Sequence, residues 1–292
     1  MRFPIAAILL VPVAMVTGCD LFPEDFGTVE LPIPLSSPSV DLDVGTPVGD
    51  AIDSSCEDPE AASCAGIIAL CQAEEEDDAD CLPPTLPAQF PREVTVDGTT
   101  TTAEDVLPEA VVEATRLKFA IPVDLSELLA AGGVTDTSQV ENITFDQVAL
   151  NWEENGLTFD APALDVYIGP KVDGADIIDA EALITRTGFS KVGTVGVDTD
   201  PETDGFEVGQ IAKTTGAVPL SFVSGGNEAF NEQLKAFAFT MVLIAPTGQE
   251  LKLKQVAGDA TRVSKPDGAA KLKLEGQIIY SVNLVEAAGI SE

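Results

Sequence analysis

The stretch that most limits what this chain can become runs through residues 271–284, near its end. Leu272, Leu274, Gly276, Ile278, Tyr280, Val282 and Leu284 hold one phase without a slip, and Lys271, Lys273, Glu275, Gln277, Ser281 and Asn283 hold the other. Successive side chains of a strand point to opposite faces, so this period of two describes a long strand with one face buried and one face wet. A one-sided strand of that length belongs in an antiparallel sheet, because parallel strands are covered on both faces.

The rest of the C-terminal part keeps the same period. Leu117, Phe119, Ile121 and Val123 alternate with Lys118, Ala120, Pro122 and Asp124. Ile143 and Phe145 share one phase while Val148, Leu150 and Trp152 hold the other, which predicts a bulge near Asp146 and Gln147. Asn155-Gly156 predicts a hairpin into the strand carrying Leu164, Val166 and Ile168. Residues 182–187 and 191–197 are further strand candidates turned at Gly188, and Phe237, Phe239, Met241 and Leu243 form another. Pro246 in Ala245-Pro246-Thr247-Gly248 then marks a turn, with Leu251 and Leu253 on the returning segment. A helix over residues 227–236, bounded by Gly225-Gly226, interrupts the series. Many strands with turns at short intervals predict a mainly β fold, an antiparallel β-sandwich over residues 116–292.

Residues 28–115 read differently. Residues 28–44 carry weak alternation broken by prolines, as edge strands do. Thr102 before Ala103-Glu104-Asp105 predicts a helical piece within 99–115. Cys56, Cys64, Cys71 and Cys81 lie around an expected helix over 59–75, started by Asp58-Pro59-Glu60 as cap, first-turn proline and dipole-facing acid. On such a helix Cys64 and Cys71 sit two turns, about 10 Å, apart, which is too far for a disulfide. Each then pairs with Cys56 or Cys81. Zinc is the competing reading of four cysteines, weakened by the lack of any C-x-x-C pair. The sandwich is therefore expected to carry a small disulfide-stapled helical insertion on its N-terminal side.

The first residues set the compartment. Arg2 precedes an apolar run over 5–16 that ends in Val16-Thr17-Gly18-Cys19. The run is shorter than the roughly 20 residues that span a bilayer and fits the apolar core of a secretory signal. Here the chain resembles the bacterial lipoprotein precursors, whose lipobox ends in a small residue and the acceptor cysteine. The resemblance implies a signal peptide over 1–18, lipidation of Cys19, a tether over 19–27 and a membrane held through the lipid anchor, at the periplasmic or surface face of the cell envelope. Asp20 after the acceptor implies inner-membrane retention by the rule of enteric lipoproteins. Export also carries the four remaining cysteines into an oxidising compartment, where two disulfides are expected.

Charge and absence narrow the chemistry. The chain has 49 acidic and 15 basic residues and no histidine. Nucleic acid is an unsuitable partner, since its phosphates need Lys and Arg to displace counterions. Without histidine there is no Ser-His-Asp triad, no H-E-x-x-H zinc site and no histidine-ligated haem. Residues 19–115 hold 23 acids against Arg92 alone, so the acidity is concentrated there. Six of the seven residues 74–80 are acidic, a solvated loop by composition.

Three constellations remain. Carboxylate pairs hydrolyse glycosides, yet no pair is singled out and aromatic residues are few; Trp152 reads as packing before it reads as a sugar platform. Ser264-Lys265 is adjacent in a loop, which does not by itself activate a nucleophile. Asp198, Asp200, Glu202 and Asp204 place carboxylates at every second position ahead of Gly205, a possible calcium loop that lacks the bidentate Glu of an EF-hand at its twelfth position; a solvated acidic turn accounts for it more simply. The expected function is a non-catalytic, lipid-anchored binding or structural module with an unidentified protein or carbohydrate partner and no resident cofactor unless calcium. A periplasmic carbohydrate-active enzyme and an apolar-ligand carrier are the alternatives.

Overall fold

The computed structural model describes residues 28–37, 39–73, 85–96, 98–131, 134, 136, 138, 140–173, 179–196, 218–248 and 251–283. In chain order the elements are β1 (Thr28–Ser36), β2 (Val40–Asp43), α1 (Gly45–Ser55), α2 (Ala62–Gln72), β3 (Gln89–Pro91), β4 (Glu93–Val96), β5 (Thr99–Thr102), α3 (Ala103–Val106), α4 (Glu109–Ala114), β6 (Lys118–Asp124), α5 (Ser126–Ala131) and β7 (Val140–Asn155). There follow β8 (Phe159–Asp160), β9 (Leu164–Pro170), α6 (Ala180–Ile184), β10 (Ser190–Val195), β11 (Val218–Phe222), α7 (Gly226–Leu234), β12 (Ala238–Ile244), β13 (Lys252–Leu253), β14 (Gln255–Val256), β15 (Asp259–Ser264) and β16 (Ala269–Asn283). The fold is mainly β and antiparallel, with short helices.

A nine-stranded sheet in the order β1-β16-β7-β11-β10-β9-β12-β6 forms the frame, with β2 continuing the β1 edge along β16. Its centre of gravity is the β16–β7 pair. β16 keeps its phase, and β7 absorbs every irregularity: Glu153, Asp146 and Glu141 are each the extra residue at a register shift. The bulge expected near Asp146 and Gln147 is one of the three. Each one-residue insertion switches the inward parity of β7, which is how Val140, Ile143 and Leu150 all reach the core although odd spacings of three and seven separate them.

The two layers are halves of this one sheet. They are joined through β11, which among the described residues pairs with β7 at Val218↔Leu150 and Pro219↔Ala149. Across the interior, the Phe237 ring at the head of β12 stands 6.1 Å from Tyr280 on β16. Helix α7 sits in the fold of the sheet, where Phe230 packs edge-on against Phe222 at 5.8 Å and Phe239 at 6.1 Å. Tyr280 Oη donates to the Leu234 carbonyl at 3.4 Å, closing α7 onto β16. Burial without a charged partner pushes the Tyr280 phenol well above its ordinary pKa.

Both edges of the sheet carry proline. Pro32 and Pro34 lie two apart on β1, so their missing donors fall on one side of the strand, and Pro122 lies on β6. The remaining face of the β9-β12-β6 layer is covered by α6, where Leu183 meets the buried Val242 together with Tyr167 and Phe189. This covering explains why β12 is buried on both faces and does not alternate.

The N-terminal helices join the same core. Val48 and Ile52 of α1, Ile67 and Leu70 of α2, and Val111 of α4 all belong to the main buried cluster. Helix α1 departs from expectation, because its sequence G-T-P-V-G-D-A-I-D-S-S carries two glycines and no strong helix former beyond Ala51. It forms because Val48, Ala51, Ile52 and Ser55 share one face and bury it.

Three expectations are corrected and one is refined. The helix through the cysteines begins at Ala62 rather than Pro59, because Asp58 caps an isolated turn by accepting from Glu60 N at 3.0 Å. Residues 182–187 do not form a strand: Asp179 accepts from Glu181 N and starts helix α6. The helical piece expected after Thr102 is present as α3 with Thr102 at its N-cap position, while Thr99–Thr102 are strand β5 and a second short helix, α4, follows Pro108. Asn155-Gly156 does not build a hairpin: β7 and β9 are not neighbours in the sheet, and Asn155 Oδ1 instead accepts from Leu157 N at 3.2 Å to turn the chain across the end of the sheet. A type I′ hairpin turn requires positive φ at both central residues, and Gly156 is not among the positive-φ residues.

Candidate functional site

Three recesses among the described residues lie towards the pole where β7 ends and β16 begins. Its organiser is Thr158. The Thr158 amide donates to the Asp267 carbonyl at 3.1 Å and its carbonyl accepts from Lys254 N at 2.9 Å. Its hydroxyl donates to the Lys265 carbonyl at 2.5 Å and accepts from Asp267 N at 2.8 Å. One threonine thus pins its own segment to two later ones, at Lys254 and at Lys265–Asp267. Gly268 completes the crossing at φ 105°, and a side chain there would run into the Gly156 carbonyl.

A recess of 330 Å³ opens here, lined by Ala88, Thr158, Ser264, Lys265, Asp267 and Gly268. Burial works to raise the Asp267 pKa, but the Lys265 ammonium at 3.0 Å and the Gly268 amide at 2.7 Å outweigh it and hold the carboxyl below its usual range. Lys265 therefore faces Asp267 in an ion pair. This is not the arrangement of a serine activated by a neutral lysine.

The adjoining cleft, 220 Å³, lies between α4 and the turn after β12, with Val112, Thr115, Phe159, Asp160, Pro246 and Leu251 among its walls. Arg116 forms its floor. Arg116 Nε donates to the Ala245 carbonyl at 2.6 Å, and Nη1 donates to Glu113 at 3.2 Å and to Glu181. Lys118 Nζ reaches the same two carboxylates at 3.1 and 3.6 Å. The network ties α4, β6, α6 and the β12 turn together. For Glu113, partial burial acts upward, while hydrogen bonds from Lys118 and Arg116 prevail and keep the carboxyl ionised below its ordinary pKa.

A third and more open groove of 900 Å³ runs along β3 and β15, with Arg92, Glu93, Asp259, Thr261 and Arg262 on its walls. Arg262 Nη2 donates to the Gln89 carbonyl at 3.4 Å. Asp259 accepts from both Thr261 Oγ1 at 2.6 Å and Thr261 N at 3.0 Å, which lowers its pKa. All three openings thus carry charges of both signs.

Of the residues singled out from sequence, Cys56 and Cys64 form a disulfide with Cα atoms 4.7 Å apart. Cys71 lies on the same helix as Cys64 and is also disulfide-bonded. The exclusion of a Cys64–Cys71 bond therefore agrees with the geometry. Cys19, Cys81 and the whole acidic loop with Asp198, Asp200, Glu202 and Asp204 lie outside the described residues, as does 74–80. Among the described residues, no group of three Cys, Asp or Glu gathers in a way that could hold a metal, and no helix is long and apolar enough to cross a membrane. Trp152 is 2% exposed and packs in the core opposite Leu272, so it lines none of the openings.

Sequence reasoning missed Thr158, Asp267 and Arg116. A turn signal for the second was present in Lys265-Pro266-Asp267-Gly268, a proline, acid and glycine in turn order. Nothing local marks Thr158, whose hydroxyl partners Lys265 and Asp267 are more than one hundred residues away.

No protein-family model and no curated protein matches the chain. Among solved structures, a chain from the cryo-EM structure of Mud crab tombus-like virus is similar at 11% identity over 100% of both chains, with a TM-score of 0.24. So distant a likeness carries no argument about fold or function.

Proposed function

We propose that the protein is an exported, non-catalytic lipoprotein of the bacterial cell envelope, acylated at Cys19, which works as a binding or structural module. The observation that supports this reading best is the Cys56–Cys64 disulfide. Disulfides persist in oxidising compartments, and the lipobox-like Val16-Thr17-Gly18-Cys19 would deliver the chain to one. The module reading is supported over a carrier by the filled interior, where Trp152, Phe230, Phe239 and Tyr280 are each at most 2% exposed. It is supported over a glycosidase by the carboxylates. Every described carboxyl with a clear shift is pushed down, whereas a glycosidase acid must be pushed up.

Stable attachment takes two or more acyl chains, each contributing about 0.8 kcal/mol per buried methylene. The test is membrane fractionation in a bacterial host fed an alkyne fatty acid. Wild type is expected in the membrane fraction with the label, and Cys19→Ala is expected unlabelled and either soluble or unprocessed. Equal labelling and partitioning of the two proteins would overturn the anchor.

A further inference from the structure

Helices α1 and α2 form a collar on the sheet, stapled by the Cys56–Cys64 disulfide. Charge is handled in opposite ways by this collar and by the frame beneath it. Over residues 116–283, Asp124, Asp165, Glu181, Glu232, Asp267 and Glu275 are each ion-paired to a lysine or arginine. Over residues 28–112 the sequence holds one base, Arg92, and among the described residues of that stretch no carboxylate is in an ion pair.

The charge is densest at the C-terminal end of α1. Asp50, Asp53, Glu57, Asp58 and Glu60 are all exposed, with no base between them. Asp50 and Asp53 are three apart on one helix, where like charges repel, and Asp53 lies in the last turn, against the negative end of the helix dipole. Helix α2 has no charged side chain to offset them. The disulfide holds the carboxylates together instead, because it joins the α1 C-cap Cys56 to Cys64 in the first turn of α2 and closes the loop that carries Glu57, Asp58 and Glu60. With two glycines in its sequence, α1 has little margin of its own against this repulsion.

Repulsion among exposed charges of one sign is set by the solution. Its range is roughly 30 Å at 0.01 M salt and about 3 Å at 1 M. In dilute salt every carboxylate of the 50–60 stretch acts on the others; in concentrated salt each acts nearly alone. We propose that the collar is an ionic-strength switch: dilute salt loosens α1 and α2 from the sheet, concentrated salt docks them, and β16 stays folded throughout. The effector is the diffuse cation atmosphere around the carboxylates rather than an ion held at one site. The switch does not depend on acylation of Cys19.

The test is amide exchange on the full chain, at one fixed pH, in about 0.01 M and about 1 M KCl, with α1, α2 and β16 followed separately. Protection of α1 and α2 is expected to rise on the order of tenfold, as the sum of several surface terms, while β16 changes little. A second protein carries Asp50→Asn, Asp53→Asn and Glu57→Gln, at three exposed side chains that make no hydrogen bond among the described residues. Its collar is expected to be as protected in dilute salt as that of the wild type in concentrated salt. A wild-type collar equally protected at both concentrations would overturn the switch. Equal gains in collar and β16 that persist in the triple variant would overturn it as well, since they report a general effect of salt on burial. A collar restored by trace calcium at constant ionic strength would show a discrete ion site in place of screening, and a triple variant less protected than wild type in dilute salt would show that these carboxylates hold the collar; either result would sink the proposal.

Discussion

The β16–β7 pair and the α1–α2 collar bury side chains in the same core by opposite means. In β16 the sequence repeats with a period of two, and each residue from Ala270 to Val282 has a backbone partner on β7. Local preference and tertiary pairing agree there. In the collar they do not: α1 is built of weak helix formers, and α2 follows an Asp58 turn instead of a capped start. A covalent bond at the α1 C-cap, Cys56 to Cys64, supplies part of what helix propensity lacks. Where a segment's own preference is poor, order comes from burial on a preformed surface and from the staple.

The largest expected effect is on the sheet. Ile278 is fully buried at the middle of β16, and Ile278→Asp would place an unpaired charge there at a cost of several kcal/mol against a typical stability of roughly 5 to 15. Loss of the cooperative melting transition is expected, and a wild-type-like transition would break the assignment of β16 as the frame.

Removing the staple should cost less and act locally. Cys64→Ala opens the short Cys56–Cys64 loop and is expected to lower stability by about 2 to 3 kcal/mol in denaturant titration. Amide exchange should speed up through α1 and α2 while β16 stays protected. Equal acceleration in both regions would mean that collar and sheet unfold as one unit, which would remove the contrast.

The smallest effect marks what surface charge contributes. Lys171 Nζ lies 2.6 Å from Asp124 Oδ2 beside the end of β6, and this bond, helped by Ser126, lowers the Asp124 pKa from 3.8 to about 2. Because the folded pKa is depressed, its stabilisation is present above the unfolded pKa and is lost as pH falls from about 4 through 2. The side chain is 45% exposed, so the contribution is under ~1 kcal/mol. Asp124→Asn should flatten the acid limb of a stability–pH profile slightly, and an unchanged limb would show that the pair contributes nothing.

Much of the sheet was legible because burial on one face leaves a mark at every second residue. The phase of β16, the bulge at Asp146 and the proline-bearing edge strand β1 could all be read that way. The hairpin at Asn155-Gly156 and the strand over 182–187 could not, although their local signals were good. Asn155 is held by a bond to Leu157 that suits a crossover as well as a hairpin, and β16 rather than β9 occupies the place beside β7. Residues 182–187 had alternation enough for a strand, yet Asp179 caps a helix and Leu183 finds the outer face of β12 to cover.

By itself the sequence determined the antiparallel β character, the inward residues of β16, the impossibility of a Cys64–Cys71 bond and the absence of histidine chemistry, because each depends on residue type or on spacing within one element. Tertiary structure alone decided that the two layers are one folded sheet, that α1 is a helix, and that Thr158, Lys265 and Asp267 meet at a pole opposite Thr28. Those outcomes depend on which surfaces become neighbours after the chain has crossed itself. Hydrogen bonds between residues more than one hundred positions apart leave no periodic trace along the chain.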